Sequence, residues 1–185
     1  VAAMNNGNAA QEVVKAIYFK MVDIVAKYHV YDSLFRNEDS LKILGEYDYG
    51  VMAIFQEALV NDLMAGMFRL IDPKESCGSE NMSFRYLEEL VELNDDVKII
   101  IDDMYRIKKK VEGYRHKVLM HNDAKVVLGK SEQDVRFEWE KLSQLVKMGR
   151  SAVSKIYKSM FDMDVEFVPV NVNPDCFLRA LEARL

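Results

Sequence analysis

The segment Arg115-His116-Lys117-Val118-Leu119-Met120-His121-Asn122-Asp123 holds the side chains in this chain best suited to chemistry on a phosphate ester. An arginine stays protonated, and its planar fork can hold two phosphate oxygens. A histidine has an ordinary pKa near 6.5, which suits proton transfer at working pH. Steps of seven along the preceding helical pattern run Ile100, Ile107, Tyr114, and the next lands on His121. An imidazole therefore stands where an apolar packing residue is due. In an ideal helix Arg115 and His121 are about 120° apart, so a bend, a helix end or a second copy must bring them together. The segment also closes a run of charge: Arg106, Lys108, Lys109, Lys110, Arg115 and Lys117 are opposed only by Glu112. Such a patch can hold phosphates, although lysine runs and cations near a helix C-terminus are also ordinary solvated features. For His121 the competing reading is a hydrogen-bonded core histidine.

The elements that must position these residues are helical. Val14, Ile17, Met21, Ile24, Val25 and Tyr28 form one stripe on a helix over about Ala9 to Tyr31. Asp32 to Ser40 reads as a connection. A second helix runs from Leu41 or Tyr47 to Ile71, striped by Val51, Met52, Phe55, Leu59, Leu63, Met67 and Leu70, and stopped by Pro73. Lys74 to Asn81 is a surface loop and Phe84 to Leu93 holds a short helix. From a cap at Asn94 or Asp95, the series Ile100, Met104, Ile107, Val111, Tyr114, Val118 makes a heptad seam. Ser131 with Asp134 resembles a capping box opening a helix through Trp139, Leu142, Val146, Val153 and Ile156 to Met160. Residues 162–185 form an extended tail with a short terminal helix capped by Asp175. The prediction is one all-α domain over 1–185, an antiparallel up-and-down bundle of about four long helices plus short ones.

Composition narrows the function. Of 185 residues, 50% are hydrophobic and only 8 are Gly and 3 Pro, which excludes a disordered chain and disfavours a barrel or sandwich. The net charge of -5 excludes coating of nucleic acid by bulk attraction, so contact must come from a local patch. No apolar run approaches a membrane span, so no membrane partner is expected. Cys77 and Cys176 stand alone, which points to the cytoplasm and to no disulfide. No nucleotide-binding glycine loop, GxSxG or HExxH occurs, and neither a metal nor another cofactor is expected. Asp95-Asp96 and Asp102-Asp103 read as a helix start and a solvated face.

Arg115 to His121 fits the R-x(4–6)-H signature of the HEPN superfamily, with His116 as the polar residue after the arginine. The chain resembles in particular the AbiU-type abortive-infection branch, where an R-L-x-D-P segment precedes that motif. Arg69-Leu70-Ile71-Asp72-Pro73 is similar to it. The resemblance covers about Ala9 to Phe161, and Met120 departs from the small residue common before the histidine. It implies a metal-independent endoribonuclease of toxin or phage-defence type that cleaves RNA by attack of its own 2′-hydroxyl. Arg115 and His121 are then the catalytic pair, with His116 and Asn122 in support. Lys108, Lys109, Lys110 and Lys117 are then the RNA contacts. One His121 cannot be base and acid at once, so the resemblance implies a homodimer, and the heptad seam offers a surface for pairing. A protein antitoxin is a further candidate partner. Arg69 and Asp72 fit helix packing or an ion pair better than catalysis. The alternative is a non-catalytic helical dimer that binds RNA or a protein.

Overall fold

A computed structural model describes residues 2–114, 138–167 and 172–183. Among them the chain is all-α. The helices are α1 (Ala2–Phe35), α2 (Glu38–Leu70), α3 (Phe84–Leu90), α4 (Asp95–Tyr114), α5 (Trp139–Phe161) and α6 (Pro174–Glu182). A two-stranded hairpin, β1 (Glu75–Ser76) and β2 (Ser79–Glu80), joins α2 to α3.

Local chemistry explains most boundaries. The connection expected over Asp32–Ser40 shrinks to Arg36 and Asn37, because Leu34 and Phe35 are buried and keep α1 helical. The Asn37 side chain then accepts from the N–H groups of Asp39 (2.9 Å) and Ser40 (3.2 Å) and opens α2. Within α2, Asp48 leaves helical angles (φ -165°, ψ 100°) and its carboxylate accepts from Val51 N–H at 3.0 Å. The helix therefore starts at Glu38 and restarts after Asp48. In place of the expected loop, Ser76 pairs with Ser79 across Cys77 (φ 54°) and Gly78 (φ 77°). Positive φ at both central residues gives the tight turn whose twist suits a hairpin. Ser83 caps α3, and the Asn94 carbonyl accepts from Val97 and Lys98 to open α4.

Two expectations about the C-terminal third are corrected. The helix expected from Ser131 is not continuous: Glu138 is extended and α5 begins at Trp139, while Ser131 and Asp134 lie outside the described residues. The last helix is capped by Asn173, whose side chain accepts from Cys176 N–H at 3.2 Å, with Pro174 in its first turn. Asp175 is two residues too late for that role. Cys77 and Cys176 are free and exposed.

The four long helices run up, down, up, down. Lys27 on α1 reaches Asp62 on α2 (2.5 Å) and Tyr31 bonds to Gln56, so α1 and α2 are antiparallel. The Lys27 hydrogen bond holds the Asp62 carboxyl below its ordinary range. Tyr28 meets Ser143 at 2.9 Å and Tyr18 packs on Tyr157, which sets α5 antiparallel to α1. Lys155 pairs with Asp96, so α4 opposes α5. One apolar core joins all six helices, with Ile17, Met21, Ile24, Leu63, Met67, Phe68, Ile101 and Met104 fully buried.

One helix departs from this pattern. The second half of α2 is core, but Leu41, Tyr47, Tyr49, Val51, Ile54 and Phe55 in its first half are exposed. By length and mean hydropathy α2 could cross a membrane, contrary to the expectation from apolar runs. About a third of its most apolar stretch is buried, and from Val60 onward it packs in the common core.

Candidate nucleic-acid interface

Arg106, Lys108, Lys109 and Lys110 of the cation run lie on the last turns of α4, and packing splits them. Val97, Ile101, Met104, Lys108 and Val111 are all buried, a four-and-three seam facing the chain's own core. The seam is thus rotated by one residue at its start from the expected Ile100, which is only half-buried. Up to Val111, α4 spends this face on α5 and the core of the same subunit, and the His121 end of the expected pairing seam lies outside the described residues.

Lys108 falls in that seam and is corrected as an RNA contact, since it is 6% exposed. Its Nζ lies 2.6 Å from Asp72 Oδ1 and 3.4 Å from the Ile71 carbonyl oxygen. It also stands 5.9 Å from the rings of Phe68 and Tyr105. Tyr105 Oη donates to the Asp72 carbonyl at 2.8 Å. Burial pushes the Tyr105 hydroxyl up to about 12, only partly opposed by the Arg85 guanidinium 4.4 Å over its ring. Arg85 in turn bonds Asp102 (2.5 Å) and Glu88 (2.7 Å). The segment Arg69–Pro73 is therefore fastened to α4 through Asp72, as an ion pair. Arg69 is exposed, with no ion pair among the described residues.

Lys109 and Lys110 are exposed, with no ion pair among the described residues. Arg106 is exposed but held by Asp103 at 2.7 Å. Asp95, Asp96, Asp102 and Asp103 all meet cations, Asp95 through Lys98 at 3.6 Å. Arg115, His116, Lys117, His121 and Asn122 lie outside the described residues. His29 is exposed on α1.

A second cationic feature escaped the sequence reading. Lys147, Arg150, Ser151 and Ser154 recur at helical spacing on α5 and line a cavity of about 520 Å³, closed by Val165, Glu166 and Phe167. The Arg150 guanidinium sits 5.6 Å over the Phe167 ring, and Tyr18 Oη donates to the Glu166 carbonyl at 3.4 Å. Neither Lys147 nor Arg150 has an ion pair among the described residues. Their spacing was legible; the wall brought from residues 165–167 was not. Two cations and two hydroxyls beside the Phe167 ring can take a phosphate with its attached ring, with the Glu166 carboxylate at the rim opposing the anion. Comparison with known proteins finds no matching family model, no matching curated protein and no matching solved structure.

Proposed function

We propose that this chain is a metal-independent endoribonuclease of toxin or phage-defence type, working in the cytoplasm at a site shared by two copies. The observation that supports this reading best is the Asp72–Lys108 ion pair. It fastens Arg69–Pro73, one of the two segments on which the HEPN resemblance rests, to α4, whose Lys108 precedes Arg115 by seven residues in sequence. Exposed Lys109 and Lys110, and Lys147 and Arg150 on α5, supply local positive charge for RNA in an acidic chain.

In this mechanism a base takes the proton of the RNA 2′-hydroxyl, whose oxygen attacks the adjacent phosphorus. An acid returns a proton to the departing 5′-oxygen, leaving a cyclic phosphate. His121 of one copy is the base and His121 of the other the acid. Arg115 balances the charge that grows on the phosphorane. His116 and Asn122 support the pair, and a protein antitoxin would act by covering this surface.

The test is purified chain against His121→Ala on single-stranded RNA in EDTA. Cleavage with cyclic-phosphate ends, slowed about 100- to 10,000-fold by the substitution, is the expected result. Equal behaviour of the two proteins overturns it. A second reading, a non-catalytic helical dimer that binds RNA or a protein, is favoured by the exposed apolar side chains of α2.

A further inference from the structure

We infer that the first half of α2, with the two apolar hollows beside it, is the surface on which a second copy of this chain docks. Tyr49 is 80% exposed, Ile54 67% and Phe55 56%, on a stretch from Tyr49 to Gln56 that carries no charge. With Leu41, Tyr47 and Val51 they leave about 600 Å² of apolar side chain in water, at roughly 150–250 Å² per large residue. That is at the upper end of the roughly 300–600 Å² largest patch of a typical monomer and approaches the ~800 Å² each partner gives to a stable interface.

The shape of the face points to self-pairing. A hollow of about 410 Å³ lies between α1, α2 and α6, lined by Leu34, Phe55, Leu59 and Phe177. Another of about 330 Å³ is lined by Leu41, Leu44, Tyr49 and Ala53. Phe35 and Met52 border both, so they are two halves of one groove. A two-fold contact presents one patch twice, so the exposed apolar side chains of each copy can meet the groove of the other. Charge argues against a lipid occupant. From Glu38 to Ala58 the helix has five acids (Glu38, Asp39, Glu46, Asp48 and Glu57) and one lysine, Lys42, a rim that an anionic bilayer repels. The rim of a second copy is acidic too, so association tightens as salt screens it.

The docking end is also the end toward which α4 runs, since α1 and α4 are parallel. The inference rests on the two-copy part of the proposed function and not on its chemistry.

Sedimentation of the full chain at micromolar concentration tests it. The wild type sediments at twice the chain mass, more completely in high salt. Ile54→Glu with Phe55→Glu, checked for helicity by circular dichroism, sediments at the chain mass. Ile99→Glu, at an equally exposed position on α4, stays dimeric. A monomeric wild type, a dimer indifferent to the α2 pair, or flotation with phosphatidylcholine–phosphatidylserine vesicles overturns the inference. A dimer that cleaves no RNA upholds this face and sinks only the chemistry.

Discussion

Lys108 shows how one side chain's surroundings decide its role. Its neighbours Lys109 and Lys110 differ from it by about 100° and 200° around α4, enough to separate core from solvent. An ammonium taken out of water is tolerable because Asp72 and the Ile71 carbonyl replace its hydration. Removing one partner strands the other, so Lys108→Ala and Asp72→Ala should each cost about 3–5 kcal/mol in urea unfolding. Lys109→Ala should stay within about 0.5 kcal/mol. RNA affinity, measured by fluorescence anisotropy, should respond in the opposite order: Lys109→Glu weakens it, whereas the conservative Lys108→Met leaves it nearly unchanged if the fold holds. Asp72 as an ion-pairing residue was legible beside Pro73. Its partner was not, because residues 36 apart in sequence meet only when the segment following α2 is laid against α4.

At the scale of elements, two glycines measure how closely helices approach. A Cβ at Gly66 on α2 would stand 3.0 Å from Cγ1 of Ile24 on α1, a buried, β-branched and stiff neighbour. One at Gly149 on α5 would meet the Met21 thioether at 3.0 Å and the end of Met67 at 3.4 Å. Alanine gains about 1 kcal/mol of helix propensity at either site. Gly66→Ala should still be destabilising by about 1–2 kcal/mol net, since Ile24 cannot turn aside. Gly149→Ala should be near neutral because methionine adapts, and thermal melts of the two variants separate these outcomes. The apolar stripes of α1 and α5 were readable from spacing: Val14, Ile17, Met21, Ile24, Leu142, Val146, Val153 and Ile156 are buried. The same spacing misplaced Val51 and Phe55, which are exposed. Periodicity identifies an apolar face and is silent on what covers it.

Over the whole molecule, Trp139 is the one tryptophan and stands at the junction of α1 and α5. It stacks on Tyr31 (4.2 Å between centroids) and Tyr28 (5.1 Å), with Arg36 over it at 5.6 Å. Because a single core joins all the helices, its fluorescence and the helical ellipticity should be lost in one urea transition. Two separate midpoints would mean that α1 and α5 part before the helices melt. The all-α class, the helix faces and the local caps are properties of neighbouring residues, so hydrophobic spacing and short side chains such as Asn37 and Ser83 specify them within a few turns. Which cation of the α4 run is buried, where α5 meets Val165–Phe167 to form a cavity, and which apolar face is left bare depend on contacts between distant segments. Those contacts are settled only when competing apolar faces are packed into one core, and the sequence lists the faces without pairing them.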